Sequence, residues 1–308
     1  MSAGTEWSHQ PTQVTSPRTL EVTEPVDALT VRVVNGTVNV VGTTDDGPAR
    51  VEIGEVHGPP LTVSYGGGTL SVAYQDLPWK GFLKFLDRKG WNRSAVVSVT
   101  VPAGTRVEVG AVGAGAVVSG ISGRTDIRGV TGDSTLVGLT GGVRADTVSG
   151  NVEAQSVTGD LHFHSVSGDL TVIDGAGGAV RADSVSGDMV LDLDPGQGAD
   201  IALTTVSGEV AIRLPDPADA KVEANTASGT VSNAFDGLRV SGQWGTKKVT
   251  GSLGAGTGTL KVTTVSGGLA LLRRPSPADE DSRPGGRGPA PGPHDHSPTG
   301  PPAGKKVL

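Results

Sequence analysis

Residues 148–170 state one five-residue phrase three times: Val148-Ser149-Gly150-Asn151-Val152, Val157-Thr158-Gly159-Asp160-Leu161 and Val166-Ser167-Gly168-Asp169-Leu170, each nine residues after the last. With glycine as the marker, the register extends over Gly123, Gly132, Gly141, Gly150, Gly159 and Gly168. Gly178 and Gly187 follow at steps of ten and nine, and Gly208, Gly229, Gly251 and Gly267 carry the phrase on at wider steps. Repetition this regular means stacked units rather than one wrapped core.

Within the nine, position 1 is aliphatic (Ile121, Val130, Leu139, Val148, Val157, Val166, Val185). Positions 5 and 7 are mostly apolar (Val143/Ala145, Val152/Ala154, Leu161/Phe163, Leu170/Val172, Met189/Leu191, Val210/Ile212), and positions 6 and 8 mostly polar. That alternation is the period of a strand with an inner and an outer face. Glycine at position 3 supplies the positive φ a tight corner needs, and the Ser or Thr before it can bond the turn backbone. Each unit is therefore a strand plus a corner.

The intervals Gly187 to Gly208 and Gly208 to Gly229 are each 21 residues and each hold two strands, at 189–193 and 201–205, then at 210–214 and 221–226. A coil of about two short strands follows, closing into two face-to-face parallel sheets; a three-sided coil is the alternative. Further strands are expected at 50–53, 61–64, 69–74, 95–101 and 106–109. The phrase Val34-Asn35-Gly36-Thr37-Val38-Asn39-Val40 fits either an early coil or an Asn-Gly hairpin.

Composition agrees with an all-β class: 48 glycines, many short valine runs, 3% aromatic residues and almost no helical periodicity. Cysteine is absent, which excludes disulfides, thiolate metal sites and cysteine catalysis. The start, Met1-Ser2-Ala3-Gly4-Thr5-Glu6-Trp7, has neither a basic nor an apolar run, so no signal peptide is read, and no stretch reaches the roughly 18 apolar residues of a membrane helix. The expected location is the cytosol, or the inner face of the membrane as a peripheral protein. Residues 1–19 read as a disordered lead-in, 20–272 as the solenoid with its repeat core at 118–272, and 273–308, with nine prolines, as a disordered tail.

The net charge of −7 divides unevenly: −6 for residues 1–78, +4 for 79–93, zero for 94–120, −7 for 121–272 and +2 for the tail. An acidic shaft disfavours nucleic acid as a partner. The one basic island coincides with an amphipathic insertion at 77–93, which with Tyr74 holds five of the ten aromatic residues. Taken as a helix, it gathers Trp79, Phe82, Leu83 and Leu86 within about a 100° arc, with Lys80, Lys84, Asp87 and Arg88 opposite and Phe85 and Lys89 at the boundary. Three roles fit a basic aromatic helix or loop: a cap on the end of the coil, an interfacial contact with anionic lipid, or a surface for a protein partner or self-association. The contact residues would be Trp79, Lys80, Phe82, Leu83, Lys84, Phe85, Leu86, Arg88, Lys89 and Trp91.

Other patterns carry less. The run from Gly110 to Ala116 lacks the Lys-Ser/Thr of a phosphate loop and has Val118 where a dinucleotide motif needs glycine. The column after the corner glycines (Asp133, Asn151, Asp160, Asp169, Asp188, Glu209) has the wrong glycine spacing for a calcium roll and is better used on turn N–H groups. His162 and His164 share an outward face with Asp160 but show no third ligand, and His294 and His296 lie in the tail. Arg144/Asp146 and Arg181/Asp183 sit at outward positions 37 residues apart, as surface charge ladders. No catalytic residue, metal or cofactor is assigned.

The recurring Val-Ser-Gly-Asp phrases, the early Val33-Val34-Asn35-Gly36-Thr37-Val38-Asn39-Val40 and the inserted Trp79-Lys80-Gly81-Phe82-Leu83 resemble, over residues 20–272, a bacterial β-strand-repeat family of unknown function labelled putative adhesins. The resemblance implies a single-stranded right-handed β-helix and a loose link to the cell envelope, with no catalytic residues to carry over. The expectation is a non-enzymatic β-solenoid binding or scaffold protein that touches an anionic membrane surface or a protein through 77–93. The alternatives are a carbohydrate-active, polysaccharide lyase-like enzyme on the same coil, and a self-associating structural protein.

Overall fold

A computed structural model of the 308-residue chain describes residues 5–6, 11–45, 47–74, 92–243 and 245–274. Every regular element among them is a strand, and no helix among them is long and apolar enough to cross a membrane. The strands form one sheet of thirteen and one of fourteen. Arg106–Ala111, Thr125–Gly129, Val143–Asp146, Leu161–His164, Ala179–Ser184 and Asp200–Thr205 lie side by side in the fourteen-stranded sheet. The segments that alternate with them, from Gly115–Ser119 to Val210–Leu214, lie side by side in the other. Pairing within this run is parallel, with Val143 opposite Leu161 and Val152 opposite Leu170, so each residue meets its counterpart two units later.

The inner faces of the two sheets make the core. Positions 5 and 7 are buried there (Val143, Ala145, Val152, Ala154, Leu161, Phe163, Leu170, Val172) and positions 6 and 8 face out. Position 1 divides by edge, which the repeat alone does not reveal. At one edge Ile121, Leu139 and Val157 are buried, because the residue before each (Gly120, Gly138, Ser156) takes a positive φ and turns the chain inward. At the other edge a buried Thr or Ser fills that place, and Val166 and Val185 stand about half exposed.

The corner glycines are needed for a different reason from the one the sequence suggests. Gly132, Gly150, Gly168, Gly187 and Gly208 have no positive φ. A Cβ on any of them would lie 1.9–2.2 Å from a carbonyl oxygen of the preceding coil: Ala114 for the first, then Gly132, Gly150, Gly168 and Gly187. Glycine is required because two backbones touch.

Both ends of the stack depart from chain order. Ala28–Val33 and Asn35–Thr43 form a coil placed between Arg106–Ala111/Gly115–Ser119 and Thr69–Ala73/Ser94–Pro102, all parallel. This settles the Val34-Asn35-Gly36 phrase as part of a coil. At the other end Gly258–Thr264 and Leu269–Arg273 slot between Asp200–Thr205/Val210–Leu214 and Ala220–Thr226/Val231–Asn233. Gly267 therefore stacks on Gly208 and Gly229 on Gly267, while Gly251 leaves the register for the antiparallel strand Thr246–Leu253. Spacing reveals that a residue begins a corner but not which coil it lands on. The lead-in is also shorter than expected: Thr12–Val14 pairs with Leu61–Gly66 and Arg18–Val22 with Ala49–His57, both antiparallel. A three-residue strand is too short to register as periodicity.

The inserted C-terminal coil is tied down at its last residue. The Arg274 N–H donates to the Leu214 carbonyl at 2.8 Å, and its guanidinium reaches Asp192 at 2.8 Å and Asp194 at 3.3 Å. Arg213 also donates to Asp192.

Two outcomes follow for stability. Gly141→Ala, whose Cβ would sit 2.2 Å from the Gly123 oxygen, should cost about 3 kcal/mol in urea unfolding. Its neighbour Gly142 has open space around a built Cβ, so Gly142→Ala should stay within about 0.5 kcal/mol of wild type; equal effects would refute the stacked-backbone account. The Arg213 hydrogen bond, with Arg274, holds Asp192 below the ordinary carboxylate range against the opposing effect of burial. A carboxylate so depressed stabilises fully above its unfolded value of about 3.9 and stops doing so as pH falls through the folded value. Asp192→Asn should thus lower the urea midpoint at pH 7, with the gap to wild type closing below about pH 4.

Candidate functional site

The corner column is occupied by the fold itself. The side chains of Asp133, Asn151, Asp169 and Asp188 accept the backbone N–H of Asn151, Asp169, Asp188 and Glu209 in turn, at 2.7–3.0 Å, so each acid caps the next coil. Asp160 does the same for Ala179 at the opposite edge. Within the corner, the hydroxyls of Ser165, Ser184, Thr205, Thr226 and Thr264 accept the N–H of the glycine three residues on. The Ser before each glycine donates back to the position-1 carbonyl of the neighbouring coil.

The outer face of the fourteen-stranded sheet is charged. Arg144, His162 and Arg181 lie in one cross-strand row and Asp146, His164 and Asp183 in the next, so the two Arg/Asp pairs flank the histidines. Arg144 holds Asp146 in a bidentate contact at 2.9 and 3.0 Å, and His164 Nδ1 lies 3.4 Å from Asp183. These side chains are 30–56% exposed, and Phe163 between the histidines points into the core. The row is a solvated ladder, and no group of three or more metal-ligating side chains is found among the described residues.

Toward the C-terminal end the same face becomes concave. The antiparallel strands Leu238–Gln243 and Thr246–Leu253 extend the sheet beyond Ala220–Thr226, leaving a hollow of about 950 Å³. Arg181, Lys221, Arg239, Lys248 and Lys261 line it, with Asp200 and Glu223 as the carboxylates. Asp200 accepts from the Thr259 hydroxyl at 2.5 Å and from Arg181 at 3.0 Å, which hold its carboxyl below the usual range in that order. Lys248 at 2.7 Å does the same for Glu223. Sequence reading missed this cluster because its cations are scattered over eighty residues and meet only through long-range pairing, Lys261 through the out-of-order coil and Arg239 and Lys248 through the antiparallel strands.

A third feature is the edge where the chain passes from the fourteen-stranded to the thirteen-stranded sheet. Its exposed position-1 residues stack coil on coil in the order Val148, Val166, Val185, Val206, Val265, each carbonyl accepting from the backbone of the coil above. Val166, Val185, Val206 and Val265 are 46–51% exposed. Thr69–Ala73 and Ser94–Pro102 lie in the fourteen- and thirteen-stranded sheets in turn, so the described residues that flank the 77–93 segment, Tyr74 and Asn92, belong to this edge. The expected contact residues Trp79, Lys80, Phe82, Leu83, Lys84, Phe85, Leu86, Arg88, Lys89 and Trp91 lie outside the described residues. At the segment's base Tyr74 is buried, with the Arg93 guanidinium 5.2 Å from its ring centre.

No curated protein matches this chain. Solved structures it is similar to include a putative cell adhesion protein from Clostridium sporogenes ATCC 15579, at 11% identity and TM-score 0.26, covering 84% of this chain and 100% of that one. A putative adhesin from Bacteroides fragilis NCTC 9343 shows 13% identity and TM-score 0.41, with 87% and 100% covered. A putative lipid binding protein from Parabacteroides distasonis ATCC 8503 shows 13% identity and TM-score 0.39, with 84% and 97% covered. The Toastrack profile, DUF4097, a domain of unknown function, matches residues 26–272, four fifths of the sequence, and the chain belongs to that family.

Proposed function

We propose that this protein is a non-enzymatic scaffold whose shaft is a right-handed coil of two strands per turn and whose valine edge, with the 77–93 insertion, contacts an anionic membrane surface from the cytosolic side. Right-handedness follows the general preference of parallel crossovers. The observation that supports the contact is that two apolar features share one edge, the valines exposed from Val166 to Val265 and the insertion further along, beyond coils where Val34 and Val112 are buried. The exposed valines repeat at the coil rise of about 4.8 Å, making a continuous stripe where scattered single residues would need no explanation. The described residues on either side of the basic aromatic insertion lie on that edge, and its composition suits the headgroup layer.

A carbohydrate-active enzyme finds less support. Its catalytic carboxylates would need a sequestered setting that separates their pKa values. The Arg144/Asp146 and Arg181/Asp183 groups are solvated, and the aromatic rings among the described residues of the repeat core, Phe163 and Phe235, are buried, which leaves no ring there for a sugar to stack on.

Liposome flotation tests the proposal. Wild type should float with vesicles containing anionic lipid and not with neutral ones, and the bound fraction should fall as salt rises. Two variants should lose flotation while keeping wild-type circular dichroism: Trp79→Ala/Phe82→Ala/Phe85→Ala/Trp91→Ala, and Val166→Ser/Val185→Ser/Val206→Ser/Val265→Ser. A wild-type protein that never floats overturns the membrane contact. Retained flotation in the valine variant removes the edge from it.

A further inference from the structure

We infer that the hollow between Lys261 and Arg239 is the middle of a trough that binds a linear acidic polysaccharide, without cleaving it, through the sugar carboxylates. This site is on the outer face of the fourteen-stranded sheet and does not depend on the membrane contact.

The charge balance is the first argument. Five cations and two carboxylates line the hollow, although residues 121–272 carry a net charge of −7. Arg181 is engaged by Asp200 and Lys248 by Glu223. Lys221, Arg239 and Lys261 make no salt bridge among the described residues, and Lys261 acts on the Glu223 it stands opposite only at longer range, so the cations of the hollow outnumber its carboxylates five to two. Their positions are set by register: Lys261 stands opposite Glu223, Thr250 opposite both Glu223 and Arg239, and Lys221 opposite Thr259 and Ser252. Lys261 and Arg239 are therefore three strands apart, about 14 Å at the usual strand spacing. One small anion does not span that distance; a polymer with recurring charges does.

The second argument is extent. A further hollow of about 700 Å³ adjoins the first through Lys248 and is lined by Asn225, Ser241, Gln243, Thr246 and Thr263. Together the two run along the strands from Ser252 and Thr259 to Val265. Between the cations the lining mixes aliphatic and backbone surface, including Val222, Leu260 and Val265, with hydroxyl and amide groups; the polar groups exchange hydrogen bonds with sugar hydroxyls while the cations take the carboxylates.

The same lining argues against other polyanions. A single-stranded nucleic acid needs aromatic platforms for its bases, and no described residue of either hollow is aromatic. An acidic peptide bound in extended form would use main-chain hydrogen bonds at a free strand edge. The backbone on the floor is already paired on both sides, Gly258–Thr264 with Asp200–Thr205 and with Ala220–Thr226; the open edge of Leu238–Gln243 lies at the rim, and the poly-glutamate arm of the test addresses it.

The test is calorimetric titration of the full chain with polygalacturonate oligosaccharides, with neutral galactose oligosaccharides and with poly-glutamate at matched length. Polygalacturonate should bind, more weakly as salt rises, and the neutral glycan should not. Lys221→Gln/Arg239→Gln/Lys261→Gln changes only exposed side chains, should keep the wild-type melting temperature, and should bind at least about tenfold more weakly. Absence of polygalacturonate binding, or equal binding by the triple variant, overturns the site. Equal affinity for poly-glutamate overturns the carbohydrate assignment. Because the ligand is soluble and carries no lipid, failure here leaves the flotation result standing, and the reverse holds too.

Discussion

The contact on which the structure depends is the approach of one corner glycine to the carbonyl of the glycine a coil below. Parallel strands in successive coils must lie at the hydrogen-bonding distance of about 4.8 Å. At a corner the chain also changes direction, so the backbone itself, not a side chain, occupies the stacking position. Anything larger than hydrogen at Gly150, Gly168 or Gly187 would enter the oxygen beneath it. The hydroxyl, serine and Asx contacts around each glycine then satisfy the polar groups that such a turn exposes. The Val-Ser-Gly-Asp phrase is the side-chain record of that one constraint.

A stack of this kind has two ends, and each end offers unpaired strand groups to other chains. At both ends a coil distant in sequence is laid inside the outermost one. Antiparallel strands are added beyond it at the N-terminal end of both sheets and at the C-terminal end of the fourteen-stranded sheet, while Val231–Asn233 ends the other. At the C-terminal side the cost is a long-range pairing, Gly258–Thr264 beside Asp200–Thr205, which forms only after the intervening segment has been made. The benefit is that the last residues of the described chain, held at Arg274 by Leu214, Asp192 and Asp194, are interior to the stack rather than a fraying terminus.

The strands, the two faces and the shaft were legible in the sequence because period-two alternation and a nine-residue glycine register are local properties. The acid column does bond backbone N–H groups as its place after glycine suggested, but those of the next coil, 18–21 residues on, rather than of its own turn. What escaped was non-local. Gly229, Gly251 and Gly267 look alike in spacing, yet only two of them join the column, and nothing in their neighbours states the order. The half-exposure of Val166 beside the burial of Val157 depended on which preceding residue takes a positive φ. Ser156, a non-glycine residue at φ 52°, carried no signal of it.

The intercalated coil also explains why the two outer surfaces of the shaft end differ in character. Had Ala220–Thr226 stacked directly on Asp200–Thr205, the face would have continued the paired ladder of Arg144 and Asp146. Inserting Gly258–Thr264 instead brings Lys261 beside Ala202 and Glu223 and separates Lys221 from Asp200 by one strand, while Glu223 meets Lys248 across the antiparallel pair beyond. The step that closes the end of the solenoid is thus the step that concentrates positive charge on an otherwise acidic shaft. The strand that ties down the terminus thus also supplies Thr259, Leu260 and Lys261 to the hollow.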